Sequence, residues 1–252
     1  MQRNVQTFSH KSIRLEGAPN FRDLGGYTAR SGQKVRNQLI FRSDHLGKLT
    51  PEDLLKLTSL NNKPWLVLDF RGSEERKTHA CTLPGATVQS LAIEPTVVQA
   101  LTHLLSQGTE VSSHTTIELM QDTYRNFILH HSDKFKAFFE ALVAHPDFNI
   151  VFHCTAGKDR TGIAAVLLLH ALDIPMETIW HDYLLTNERL KHVSFFESAP
   201  EIAKVLQTVQ PAFLDAALDT INTHYSGLDH FLTHSLGLSK TMRLQLSHMF
   251  LA

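Results

Sequence analysis

The 252-residue chain is short of several things, and each shortage removes a class of protein. It has only two cysteines, Cys81 and Cys154. Two thiols are too few for a disulfide framework and lack metal-ligand spacing, so a reducing compartment suits the chain best. Cys81 follows a polar stretch and Cys154 ends an apolar run, contexts that argue against pairing them. No sign of charge dominates. With 24 basic and 25 acidic side chains the formal net charge is -1, and the basic footprint of a nucleic-acid binder is missing. Met1 to Gln6 carries no apolar signal core. The longest apolar run, Ile163 to Leu169 and a little beyond, is too short for a membrane span. These shortages predict a soluble, cytoplasmic protein with no integral membrane segment, and they leave open an export route that needs no cleavable signal. No repeat, low-complexity tract or Pro/Gly/Ser linker divides the sequence, so residues 1–252 read as one domain. Histidine is frequent, at 16 residues, but no His-Glu-x-x-His pair occurs, and the adjacent His130 and His131 point to different helix faces. The histidines therefore read as scattered surface residues, with no metal.

The patterning of what remains is that of an α/β protein. Gln38–Ser43, Trp65–Phe70, Ala86–Leu91 and Asn149–His153 read as strands, of which Trp65–Phe70 is an apolar run ending in charge, as a buried strand should be. Thr50-Pro51-Glu52-Asp53 has a cap residue, Pro at the first helical position and acid in the first turn, so a helix runs from there to about Leu60. Lys134–Val143 places Phe135, Phe138, Phe139 and Leu142 on one helical face. The segment from Glu94 to Arg125 is weakly helical, broken by Gly108 and a Ser/Thr/His cluster, and reads as peripheral or mobile. After Thr161 come helices, at Thr161–Leu172, Pro175–Leu190, Ala199–Val209, Pro211–Tyr225, Leu228–Leu236 and Ser239–Leu251. Strands early, helices late and a strand–loop–helix crossover predict a central, mostly parallel sheet flanked by helices, with a helix-rich C-terminal half.

The crossover holds the chemistry. Between strand Asn149–His153 and the helix after it stands His153-Cys154-Thr155-Ala156-Gly157-Lys158-Asp159-Arg160-Thr161-Gly162, with Cys154 and Arg160 six positions apart. Successive backbone N–H groups in such a loop can curl into an anion-binding nest, and the helix behind adds the positive end of its dipole. Thr155, Ala156, Gly157, Lys158, Asp159 and Arg160 would together hold a phosphoryl group, with the planar fork of Arg160 gripping two oxygens. Cys154 at the mouth of this field is favoured as thiolate, the nucleophile of a reaction through a cysteinyl phosphate that water then hydrolyses. His153 would orient the loop and Thr161 would donate its hydroxyl to the departing sulfur. The nest and Arg160 supply the charge stabilisation, so no cofactor is called for. A nucleotide-binding P-loop is excluded, because Phe152 stands where it needs Gly and Asp159 where it needs Ser or Thr. A buried Cys154 acting only as a small hydrophobe is the bland alternative; the ordered Gly, Lys, Asp, Arg, Thr and Gly that follow it argue against that.

The loop resembles the Cys-x5-Arg signature of protein tyrosine phosphatases. More narrowly, it is similar to the atypical bacterial group whose loop carries Gly-Lys-Asp-Arg. The resemblance extends to Asn20–Tyr27, Phe41-Arg42-Ser43-Asp44, Asp69-Phe70-Arg71 with Glu74 and Glu75, and Asp182–Asn187. It implies a phosphatase fold, and activity on phosphotyrosine proteins with extension to phosphoserine, phosphothreonine and phosphoinositides. It also implies a helical lid or insertion, which would fall at 94–125.

The leaving oxygen needs a proton, and the Trp-Pro-Asp loop that supplies it in many tyrosine phosphatases is absent. Asp159 is a candidate by position and by resemblance, against a role in pairing with Lys158 or Arg160. Asp69 competes because it closes a strand at the carboxyl edge of the sheet, against a role as partner of Arg71. Lys158 would add charge for lipid headgroups, or else be solvated. Arg22, Asp23 and Asp44 read as an Asp–Arg brace. Two other classes stay in view. A rhodanese-like sulfurtransferase also ends a strand with Cys in an anion loop, and a phosphate-binding module would bind without turnover. Oligomeric state is not read from the sequence.

Overall fold

In the computed structural model, residues 13–94, 111–191 and 200–252 are described, with residues 97, 100, 104, 106 and 107. The described residues form a five-stranded sheet from β1 (Arg22–Asp23), β2 (Ile40–Ser43), β3 (Trp65–Asp69), β4 (Thr87–Ser90) and β5 (Asn149–His153), in the order β1-β2-β5-β3-β4. The β2, β3, β4 and β5 pairings are parallel, and the two-residue β1 adds an antiparallel edge. Both faces are covered. Along β3, Leu66 and Leu68 join one apolar cluster, while Trp65 and Val67 join the other. A period of two split between two cores is why the run has no polar side.

The register brings Ser43, His153 and Asp69 level at the carboxyl ends of β2, β5 and β3. Ligands of open α/β sheets sit at this edge. The helix after β5, α5 (Asp159–Ala171), is apolar all round and buried from Arg160 to Leu169, which makes it the central post of the molecule. Against it pack α3 (Ser113–His130), α4 (Ser132–Ala144) and α6 (Met176–Leu190), while α8 (Pro211–Tyr225) packs on α3. The remaining helices are α1 (Pro51–Thr58), α2 (Ser73–Thr78), α7 (Glu201–Gln207), α9 (Leu228–His230, running into a π-helical turn at Phe231–Ser235) and α10 (Lys240–Phe250).

Three expectations change. The expected start of α5 at Thr161 moves back to Asp159, because Lys158 takes the cap position, so Asp159 and Arg160 lie on the first helical turn. The segment expected to be peripheral is core from Ser113 onward: α3 buries Thr116, Met120, Thr123, Tyr124, Phe127 and Ile128. Most of 95–110, where the lid would begin, lies outside the described residues. Helix α2 was not anticipated. Its Gly72 N–H is bonded by the Glu75 carboxylate at 2.8 Å, a cap that lacks the usual Ser or Thr. No helix among the described residues is long and apolar enough to cross a membrane.

Candidate active site

Cys154 is the first residue past β5 and is 2% exposed. From there the chain turns so that its carbonyls point away from the loop. The Cys154 carbonyl meets His153 Nδ1 at 3.0 Å, and the Thr155 carbonyl accepts from the His45 N–H at 3.1 Å. Asn20 Nδ2 donates to the Ala156 and Gly157 carbonyls at 2.8 and 3.0 Å, and Arg42 Nη2 also donates to Gly157 at 2.9 Å. The Lys158 carbonyl accepts from the Gly162 N–H at 2.9 Å. None of the N–H groups from Thr155 to Lys158 meets an acceptor among the described residues. Carbonyls fixed outward leave amides facing inward, the condition for a nest. Gly157, at φ 65°, makes the reversal, and a Cβ there would lie 2.2 Å from the Ser43 carbonyl oxygen.

Arg160 closes the cradle. Its Nη1 and Nη2 donate to Glu75 Oε2 and Oε1 at 2.7 and 2.8 Å, and Nη1 also donates to the Ile93 carbonyl at 2.8 Å. The Nε–H and the second Nη2–H, one whole edge of the fork, have no acceptor among the described residues. That edge has the geometry that grips two oxygens of a phosphoryl group. Burial alone would raise the Glu75 carboxyl, but the hydrogen bonds and charge of Arg160 outweigh it and hold the group at about 2. Glu75 also accepts from the Thr155 hydroxyl. It stands in the capping turn of a helix that the sequence reading lacked. A Glu three residues past a glycine, in Gly72-Ser73-Glu74-Glu75, was the available signal.

The two candidate acids part company. Asp69 is 1% exposed and spends both oxygens on Arg71, with Nε and Nη2 at 3.0 and 2.7 Å from Oδ1 and Oδ2. Burial would raise its carboxyl, and the Arg71 bonds bring it below the ordinary value. Toward the loop it has His153 Nε2, 3.8 Å from Oδ2, a nitrogen with no hydrogen-bond partner among the described residues. Asp159 stands at the loop itself with its carboxylate 24% exposed, and Oδ1 accepts from the Tyr124 hydroxyl at 2.8 Å.

Lys158 is neither solvated nor aimed into the cradle. It is 3% exposed, and its ammonium donates to the Leu206 and Thr208 carbonyls at 2.5 and 3.0 Å, with Asp159 Oδ2 at 3.5 Å. The last turn of α7, rich in unpaired carbonyls, draws it there. The Thr161 hydroxyl, expected on the sulfur, is buried and has no partner among the described residues. Gly162 admits the Tyr183 ring, which a Cβ would meet at 3.3 Å, so its tight contact is with α6 rather than the sheet. The expected brace exists with a different acid. Arg22 Nε and Arg42 Nη1 converge on Asp182 of α6 at 2.9 and 2.6 Å, while Asp23 instead accepts from the Gly25 and Gln38 N–H groups.

A cradle of amides and a half-engaged guanidinium beside a strand-end cysteine offer donors and positive charge to a tetrahedral anion, the arrangement a phosphatase needs. The model of the tyrosine phosphatase family matches residues 13–252. A putative tyrosine-protein phosphatase of Cupriavidus necator is 29% identical over 226 residues, 86% of this chain and 81% of that protein. A tyrosine-protein phosphatase of Nostoc commune is 29% identical over 153 residues, 60% of this chain and 49% of that one. The triple specificity protein phosphatase PtpB of Mycobacterium tuberculosis is 26% identical over 86% of this chain and 91% of that one. The chain belongs to the tyrosine phosphatase family, and its activity is that of a protein tyrosine phosphatase.

Proposed function

We propose that the chain hydrolyses phosphotyrosine through a cysteinyl phosphate on Cys154, with a pocket that also takes phosphoserine, phosphothreonine and phosphoinositides. The observation that carries this is the open edge of Arg160, held by Glu75 next to the loop whose amides are unclaimed. The phosphoryl group binds to the amides of Thr155 to Lys158 and to Nε and Nη2 of Arg160. The Cys154 thiolate attacks phosphorus, and the ester P–O bond breaks with its electron pair passing to the leaving oxygen. Asp159 protonates that oxygen. As carboxylate it then takes a proton from water, whose oxygen attacks phosphorus. The S–P bond breaks, returning thiolate and releasing phosphate.

Asp69 does not enter these steps, because Arg71 occupies both its oxygens. It acts instead on the frame, fixing the end of β3 beside His153. Lys158 contributes its backbone amide, its ammonium being spent on α7 carbonyls. The broader substrate range therefore rests on the open guanidinium edge and unclaimed amides of the cradle, and on the relative named as a triple specificity phosphatase, not on a lysine contact.

Cys154→Ser tests the mechanism. It should reduce turnover of an aryl phosphate to background while still binding orthovanadate or phosphopeptide, and acid quench of the wild type should trap a labelled phosphoenzyme that the variant lacks. Full activity in Cys154→Ser would overturn the reading. Turnover of phosphotyrosine peptide, phosphoserine peptide and phosphoinositide vesicles, compared on one preparation, measures the range. Strict peptide preference would remove the lipid part of it.

A further inference from the structure

The geometry points to Tyr124 as a positioning residue that selects which oxygen of Asp159 delivers the proton. This inference rests on Asp159 as the proton donor. Tyr124 lies on α3, 35 residues before Asp159, in a stretch whose sequence pattern marks no site. Its side chain is 0% exposed, and the hydroxyl is 2.8 Å from Asp159 Oδ1. Behind it, the Tyr183 hydroxyl of α6 lies 2.9 Å from the Tyr124 oxygen.

The direction of these bonds follows from what each group can offer. An ionised carboxylate only accepts, so Tyr124 gives its one proton to Oδ1 and its oxygen accepts from Tyr183. When Asp159 is protonated, the same bond persists only if the proton sits on Oδ2. The neighbour of Oδ2 is the Lys158 ammonium at 3.5 Å, whose nearer acceptors are the Leu206 and Thr208 carbonyls. Oδ1 is thus an anchored acceptor, and Oδ2 holds the transferable proton.

The anchor is rigid. The Tyr124 ring packs against Phe127 and Phe213, with centroids 5.5 and 5.8 Å away, and edge-on to Tyr183 at 6.4 Å. Burial raises the Tyr124 phenol well above its ordinary range, so it stays a donor at every working pH. A hydroxyl buried on two aromatic helices and pointed at the one partly exposed carboxylate of the loop does more than satisfy itself. It fixes the plane of the acid.

Tyr124→Phe keeps the ring and removes the anchor. Phenyl phosphate, whose leaving phenolate is basic, should lose turnover about tenfold more than 4-nitrophenyl phosphate, whose leaving group needs little protonation, since general acid catalysis is worth about 10²–10⁴ in all. KM for both should stay within about twofold. Asp159→Asn is run beside it and must show a steeper dependence of the same kind. If Asp159→Asn slows both substrates equally, the assignment of Asp159 as acid fails. If Asp159→Asn is graded and Tyr124→Phe slows both equally, Asp159 stands and the role of Tyr124 is overturned. Should Tyr124→Phe fold poorly by thermal melt, Tyr183→Phe strips the donor behind Tyr124 and reads the same gradation at smaller size. In an Asp159→Asn background Tyr124→Phe should add no further gradation; an added one would mean that Tyr124 acts by another route.

Discussion

At the scale of single residues, Asp44 shows how the loop after β5 is backed by buried groups behind it. It is 8% exposed behind Gly157, and its Oδ1 accepts from the Asn20 N–H at 3.1 Å and from the Ser43 hydroxyl at 3.3 Å. Burial outweighs these bonds and pushes its carboxyl up to about 7. A raised carboxyl binds its proton more tightly in the folded state than in the unfolded one. Between about pH 4 and about pH 7 the native chain holds this proton while the unfolded chain has lost it, so the contribution to stability falls as pH rises through that window and levels off above it. Asp44→Asn keeps an acceptor for Asn20 and removes the titration. Thermal melts at pH 5 and pH 8 should therefore differ less in Asp44→Asn than in the wild type. An unchanged difference would place the titration elsewhere. Glu75 behaves oppositely. Depressed to about 2, it contributes above its unfolded value and loses that contribution only as pH falls toward 2, so its clamp on Arg160 is intact throughout the working range.

At the scale of elements, the turn from β5 into α5 depends on one residue with positive φ. Gly157→Ala would place a methyl 2.2 Å from the Ser43 carbonyl oxygen and 2.5 Å from the Asp44 nitrogen, both backbone atoms of the β2 end. Neither can retreat without moving the strand. An L-residue at φ 65° adds about 1–2 kcal/mol of its own. We expect Gly157→Ala to destabilise by about 2 kcal/mol or more in urea titration and to lose orthovanadate binding together with activity; wild-type vanadate affinity would contradict the nest. Strand, loop and helix here were legible in the sequence because three local signals coincide: an apolar run, glycine in a tight loop, and an apolar helix behind it. Cys154, Gly157 and Arg160 were found that way. Glu75 is marked only by the family resemblance and Tyr124 by nothing, because their pairings lie 85 and 35 residues away, and no periodicity encodes a partner at that distance. The misreading of 113–125 has a similar cause. Buried Thr116 and Thr123 look polar in sequence, yet their hydroxyls bond the Ser112 and Leu119 carbonyls at 2.9 and 2.8 Å and vanish from solvent.

At the scale of the whole molecule, the loop is tied to the C-terminal helices through a buried ionic junction. Asp182, 1% exposed on α6, receives Arg22 from β1 and Arg42 from β2, 160 and 140 residues earlier in the chain. Burial would raise this carboxyl, and the two guanidinium groups hold it well below the ordinary range. Each arginine also reaches the site. Arg22 Nη1 bonds Asn20 Oδ1 at 2.5 Å, which turns the Asn20 amide toward Ala156 and Gly157, and Arg42 Nη2 bonds Gly157 directly. Asp182→Asn keeps the shape and removes the charge that neutralises two buried cations. Breaking one side of a buried pair costs about 3–5 kcal/mol, since the remaining charge is left uncompensated. Asp182→Asn should lose stability of that order in urea. Because both arginines hold the outward-turned carbonyls of the loop, the folded fraction should also bind orthovanadate more weakly than the wild type. A variant that lost stability but kept full vanadate affinity would show that α6 supports the sheet alone. Loss of both would show that the phosphate cradle is set by a junction spanning the first strand and the sixth helix.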